Sequence, residues 1–147
     1  MLVLGIETTC DETSSGIVED GERVLSNVVF SQIKEHEAWK GVVPEIASRL
    51  HIKKISPIVE ESLKVANKNL NDIDLIAVAT RPGLIGGLVV GASFAKALSW
   101  SNNIPFVSVN HVEAHLYSPH LTANIPFSLL YVIIIIGLFW RYICQFL

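Results

Sequence analysis

The run Asn110-His111-Val112-Glu113-Ala114-His115 sets two imidazoles four residues apart. On a helix, residues at that spacing share one face, with Cβ atoms about 6 Å apart. That separation suits two nitrogen ligands on a single metal ion. A bare H-x-x-x-H also describes pairs of surface or core histidines. What favours the ligand reading is position, because the motif directly follows an apolar strand, Phe106 to Val109. Open α/β sheets place their sites outside the carboxyl ends of strands. A zincin protease would need H-E-x-x-H, with glutamate directly after the first histidine as general base. Here position 112 is valine, and a helix turns Glu113 away from both histidines, so that chemistry is excluded. Two imidazoles do not complete a zinc or iron site, which takes three or four protein ligands. Asp11 and Glu12 follow the first strand and could face the same cleft. His120 lies past the helix and reads as a solvated loop histidine.

Two further runs could hold an anion. Gly5-Ile-Glu-Thr-Thr-Cys-Asp-Glu-Thr-Ser-Ser-Gly16 is a strand, a tight hydroxyl-rich turn and a second strand. Backbone N–H groups and hydroxyls in such a turn can bind phosphate, although most Ser/Thr-rich hairpins are only turns. Arg81-Pro-Gly-Leu-Ile-Gly-Gly-Leu-Val-Val-Gly91 sets glycines at a strand-to-helix junction. They would allow an anion to approach the helix N-terminus, and close helix-to-sheet packing explains them equally well. The run has neither the Gly-Lys-Ser/Thr of a P-loop nor the G-x-G-x-x-G dinucleotide fingerprint.

The elements that must position these groups are legible from periodicity. Leu2 to Glu7, Ser15 to Glu19 and Val24 to Phe30 are three short strands, with a hairpin signal at Asp20-Gly21. They form an antiparallel meander. A helix starts at Pro44 and presents Ile46, Leu50, Ile55, Val59, Leu63 and Ala66 on one face. Pro57 is expected to kink that helix or split it in two. Asn67 to Asp74 is a polar loop. Leu75 to Ala79 has the continuous apolar character of a central parallel strand. Gly86 to Trp100 is a tightly packed helix ended by Asn102-Asn103, Phe106 to Val109 the next strand, and His111 to Tyr117 a short helix. Three antiparallel strands followed by βα units predict an α/β fold with a mixed sheet of the ribonuclease-H-like type (βββαβα) and right-handed crossovers.

The 147 residues suffice for one domain with a real core. A net charge of −3 leaves no whole-chain basic footprint, so any nucleic-acid surface must be local or supplied by a partner. Cys10 and Cys144 are too few and too distant for a disulfide framework. The opening Met-Leu-Val-Leu-Gly-Ile-Glu lacks a basic n-region and reads as a buried strand, which gives the expectation of a cytoplasmic protein. From Phe127 the character changes. The uncharged run from Ile125 to Trp140 is shorter than the roughly 18 to 20 residues that span a bilayer, so membrane insertion is not expected.

Taken in order, these blocks resemble the TsaD family of tRNA threonylcarbamoyladenosine transferases, once called glycoprotease-like. The resemblance rests on Gly5-Ile-Glu-Thr-Thr-Cys-Asp-Glu-Thr-Ser14, on Gly41-Val-Val-Pro-Glu-Ile-Ala-Ser-Arg49 with His51, on Pro82-Gly83-Leu84 to Gly91, and on Lys96-Ala97 through His111-Val-Glu-Ala-His115-Leu116. It implies half of an actin-like ATPase fold over residues 1–128. It implies transfer of a threonylcarbamoyl group from threonylcarbamoyl-adenylate to an adenosine beside the tRNA anticodon, together with other subunits of a transfer complex. It also implies one metal ion, iron or zinc, on His111, His115 and an aspartate near the family's C-terminus. Asp11 matches an acidic position facing the family's cleft, where it is expected to be catalytic, and Glu12 beside it to bind substrate. Arg81 stands where the family has glycine, and Asn102 where it usually has an aromatic residue. Residues 129–147 depart from the pattern: a Ser-Gly-Gly-His-Thr loop is expected near Leu129, and Ile133 to Ile136 stands near that place. The expectation is therefore an N-terminal portion ended by truncation or frameshift, an inactive or incomplete fragment of the transferase. Two other readings are a non-catalytic actin-like partner subunit, against which the histidine pair counts, and a tail-anchored membrane protein.

Overall fold

A computed structural model describes residues 1–121. The expected domain boundary at 128/129 and the apolar segment after it lie outside the described residues.

Strands β1 (Leu2–Glu7), β2 (Glu12–Glu19) and β3 (Arg23–Ser31) form the expected antiparallel meander. Asp20 and Gly21 both take positive φ, +53° and +75°. That conformation suits the tight turn closed by the Glu22 N–H on the Glu19 carbonyl, whose twist matches its strands. β2 begins at Glu12 rather than Ser15, because Glu12 and Thr13 pair with Ser31 and Phe30. The hydroxyl-rich stretch that reads as a turn is therefore largely strand, and the turn itself shrinks to Thr8–Asp11.

β4 (Leu75–Arg81) pairs parallel to β1, and β5 (Phe106–Asn110) pairs parallel to β4. The sheet order is β3-β2-β1-β4-β5. A first strand at the centre, flanked by a meander on one side and βα units on the other, is the predicted ribonuclease-H-like α/β arrangement.

Helix α1 (Ile33–His36), which the sequence reading misses, is a single turn after β3. Helix α2 (Pro44–Val65) lies across β2 and β3. It runs through Pro57 without splitting. Pro57 is on the exposed face, where the carbonyl it leaves unpaired can be hydrated. The opposite face, with Ala47, His51, Ile55, Val59 and Ser62 buried, is pinned to the sheet along its whole length. In the first half of the helix that stripe is Ala47 and His51 rather than the expected Ile46 and Leu50. A buried histidine and a small residue carry the contact, so apolar periodicity alone misplaces the face by one position.

Helix α3 (Ile85–Asn102) packs on α2 and β4 and ends at Asn103, which takes the left-handed conformation at φ +54°. The core comprises Leu4, Ile6, Ile17, Ile55, Val59, Ile73, Ile76, Val78, Ala95 and Ile104. The glycines of the junction are packing devices. A Cβ on Gly87 would fall 2.1 Å from the Thr8 carbonyl oxygen, and one on Gly91 2.3 Å from Thr8 Oγ1. Gly83 takes the close approach to Thr9 on itself, so Arg81 at the family's glycine position is simply exposed.

Gly87→Ala should destabilise the chain by about 1–3 kcal/mol, the usual penalty for overpacking. Gly41→Ala, whose Cβ would meet nothing within 4 Å, should be near neutral. Urea unfolding midpoints of the two variants check this pair; equal midpoints would mean that α3 does not sit hard against Thr8.

Candidate metal centre

β5 ends at Asn110, and helix α4 (His111–Tyr117) begins at once. The Asn110 side chain caps the helix, accepting from the N–H groups of Val112 (2.9 Å) and Glu113 (3.3 Å). An asparagine at this position satisfies two of the otherwise orphan N–H groups. It fixes the first turn so that His111 and His115 stack on one face, ring centroids 4.4 Å apart and perpendicular. Their Nε2 atoms lie 3.1 Å apart.

His111 is held from behind. Its Nδ1 lies 2.9 Å from Glu7 Oε2 and 3.2 Å from Thr9 Oγ1. The other Glu7 oxygen accepts the Thr9 N–H. Burial alone would push the Glu7 carboxyl up; its hydrogen bonds with His111 and Thr9 outweigh that and hold it below the ordinary carboxylate value. An ionised Glu7 makes His111 Nδ1 a donor, so in the neutral ring the lone pair is on Nε2, the nitrogen aimed at His115. Burial, with His111 close by, lowers the pKa of His115, so its ring also favours the neutral, ligating form. Sequence reading missed Glu7. Its only signal was its place as the last residue of an apolar strand ending beside the acidic turn.

The donor set fits a metal ion. Two nitrogens each about 2.0–2.1 Å from a tetrahedral ion stand roughly 3.3 Å apart. A carboxylate on the far ring nitrogen is the usual support of a ligating histidine. Among the described residues no group of three or more His, Cys, Asp and Glu side chains is arranged to hold a metal. Asp11, Glu12 and His120 therefore do not complete the pair. Asp11 and Glu12 do line the same hollow of about 590 Å³ as Glu7, Thr9, His111 and His115, with Lys40 and Gly41 on its rim. His120 lies in the turn after α4, near the Tyr117 ring rather than in the hollow. Glu113 is exposed and turned away, as the helical spacing requires.

The acidic turn on the hollow's floor is tightly anchored. Three successive carbonyls accept from three different elements. Thr9 O takes the Leu84 N–H (2.7 Å), Cys10 O takes His51 Nε2–H (3.0 Å), and Asp11 O takes the Gln32 N–H (2.9 Å). In a trans peptide the N–H points opposite to the preceding carbonyl. The Cys10 and Asp11 N–H groups are thereby turned away from these anchors. Cys10 itself stays a thiol, since burial and the neighbouring Asp11 charge push its pKa up to about 12.

An α/β domain of the ribonuclease-H-like, half-actin type, with a supported histidine pair at the carboxyl end of a sheet strand, defines the class. Solved structures of 23% and 15% identity agree with this fold. YeaZ from Pseudomonas aeruginosa superposes with a TM-score of 0.58 over 74% of this chain and 43% of that one. RuvC from T. thermophilus, in complex with a Holliday junction substrate, gives 0.51 over 99% and 96%. The model of the TsaD family, tRNA N6-adenosine threonylcarbamoyltransferase, matches residues 23–133. Proteins of that name from Caldicellulosiruptor bescii and Bacillus subtilis are 58% and 48% identical over 83% and 91% of the chain. This chain belongs to the TsaD family. It spans 36% and 39% of those two relatives' lengths.

Protonation of His51 gives a pH dependence whose sign is fixed. The ring is fully buried, and burial depresses its pKa from the ordinary 6.5. Below about pH 6.5 the unfolded chain takes up a proton that the folded chain resists, so stability falls as pH drops through that window. The urea midpoint should decline between pH 7.5 and 5.5, and less steeply in His51→Gln. Parallel slopes for both proteins would mean that His51 is not the group responsible.

Proposed function

We propose that this chain forms one wall of the cleft of a tRNA N6-adenosine threonylcarbamoyltransferase. The reaction it serves moves a threonylcarbamoyl group from an adenylate to a tRNA adenosine, in the cytoplasm and with other subunits. The observation that carries this reading is the histidine pair, with Nε2 atoms 3.1 Å apart and Glu7 behind His111, in a chain of this family. His111 and His115 would hold an iron or zinc ion. Bound there, a divalent ion supplies Lewis acidity toward carbonyl or phosphate oxygens. On this reading the third ligand would come from a part of the family's length that this chain does not span.

The remaining roles belong to the chain's own groups. Glu7 keeps the His111 proton on Nδ1 and the Nε2 lone pair available. The N–H group of Cys10 would offer a backbone donor to a donor phosphate, in the kind of concavity that binds anions. The Asp11 and Glu12 carboxylates would orient the polar end of the donor, and Lys40 on the rim would offset its negative charge. The net charge of −3 fits a tRNA surface contributed largely by partners. The partner-subunit reading fares worse, since a non-catalytic partner has no use for the supported histidine pair. The tail-anchor reading falls on residues outside the described ones; within the described residues no helix is long and apolar enough to cross a membrane.

In a full-length protein carrying this segment, His111→Ala and His115→Ala should each reduce tightly bound zinc or ferrous iron to below a tenth of the unsubstituted protein's equivalents, while Glu113→Ala leaves it unchanged. Metal content after purification and dialysis decides it. A full equivalent retained by either histidine variant would refute the ligand assignment. In a transfer assay with threonylcarbamoyl-adenylate, tRNA and the family's partner subunits, the same two variants should lose modification of the adenosine.

A further inference from the structure

Behind the acidic turn lies a buried polar chain that the histidine pair does not use. The Val43 N–H lies 3.3 Å from His36 Nδ1. His36 Nε2 lies 3.2 Å from Gln32 Oε1. Gln32 Nε2 lies 3.3 Å from His51 Nδ1, which also meets the Thr13 hydroxyl at 2.8 Å. His51 Nε2 ends the series on Cys10 O at 3.0 Å. His36, Gln32, His51 and Thr13 are all buried.

The ends of this chain leave no choice of direction. A backbone N–H can only donate, so His36 Nδ1 accepts and its Nε2 carries the hydrogen. Gln32 must then present oxygen to His36 and nitrogen to His51. His51 Nδ1 accepts, and its Nε2 donates to a carbonyl that can only accept. Every amide orientation and tautomer is fixed, and the two ends agree.

Of the three anchors on the Thr9–Asp11 carbonyls, two are backbone N–H groups. Only the middle one is a side chain. The geometry points to His51 as a positioning residue for the acidic turn, aimed through Gln32 by His36, so that segment 37–43 on the hollow's rim and the turn on its floor are set together. Gln32 serves both ends, since its own backbone N–H holds Asp11 O. The link to catalysis rests on the reading that this turn receives the donor phosphate. The positioning itself does not.

Two substitutions separate the donor from mere bulk. The amide nitrogen of glutamine reaches about as far as imidazole Nε2, whereas that of asparagine reaches no further than Nδ1. His51→Gln can therefore still donate to Cys10 O, and His51→Asn cannot. The reporters are the Leu84 and Gln32 amides, which are protected by the turn's own carbonyls. Hydrogen exchange followed by NMR on the intact chain should show both amides exchanging at least tenfold faster in His51→Asn. In His51→Gln they should stay within threefold of wild type. The Ile76 amide, bonded to Pro105 O, should stay within threefold in both. Equal acceleration in both variants, acceleration that includes Ile76 to the same degree, or no acceleration in His51→Asn would each overturn the proposal.

A measurement on the wild-type chain needs no variant to fold. Nitrogen-15 spectra of labelled histidine at pH 7 should show His51 neutral with hydrogen on Nε2. A hydrogen on Nδ1 would overturn the directional chain. With AMP as the probe, His51→Asn should weaken binding about tenfold while zinc uptake by His111 and His115 is unchanged. Failure of the wild-type chain to bind AMP would count against the phosphate reading alone, because the exchange result stands on the turn itself.

Discussion

The end of β1 is where the structure is most constrained. Thr8 and Thr9 are fully buried as the chain leaves the sheet, and a buried backbone group without a partner costs as much as a lost hydrogen bond. No neighbouring strand can serve here, because the pairing of β1 with β2 stops at Glu7 and Ser14. The partners come instead from the start of α3, from α2 and from the residue after β3. Meeting those carbonyls obliges α3 to approach so closely that Gly83, Gly87 and Gly91 have no room for a side chain. It also requires a histidine, rather than an aliphatic residue, on the buried face of α2.

The same end of the sheet carries the chemistry. Glu7 and His111 are separated by 104 positions in sequence, and the parallel order β1-β4-β5 brings both strand ends to one edge. Charge then does the rest. The ionised carboxylate favours the tautomer with hydrogen on Nδ1, and that tautomer leaves the lone pair on the nitrogen that faces the other histidine. A thiol that stays protonated and a carboxylate already engaged leave the histidine nitrogens, rather than Cys10 or Glu7, as the ligands at this spot.

Much of this was legible in the sequence. The Asp20-Gly21 hairpin, the proline start of α2, the Asn103 stop of α3 and the strand preceding the histidines each rest on a local rule, and each is found. The spacing of His111 and His115 fixed their shared face because their helix is regular. What escaped depends on tertiary packing. The polar face position of His51 breaks the apolar periodicity, α1 is too short to carry a period, and Glu7 reads as the tail of a strand until the fold sets it against a histidine. The persistence of α2 through Pro57 is likewise decided by the sheet beneath it, not by the proline. Family resemblance supplied the expected roles of Asp11 and Glu12, and the fold places both on the hollow without by itself assigning chemistry to either.

The central place of β1 has a consequence for synthesis. Its registry with β2 is local, but its other edge pairs Val3 through Ile6 with Leu75 through Val78. A nascent chain can close the meander early and must then wait for about fifty more residues, roughly 3–10 s at ordinary elongation rates. During that interval the middle strand of the finished sheet is an open edge, long and apolar, of the kind that invites wrong partners. Chaperone dependence in the cell would then be governed by how soon β4 leaves the ribosome, and silent codon changes between β3 and β4 would alter yield without altering a single side chain.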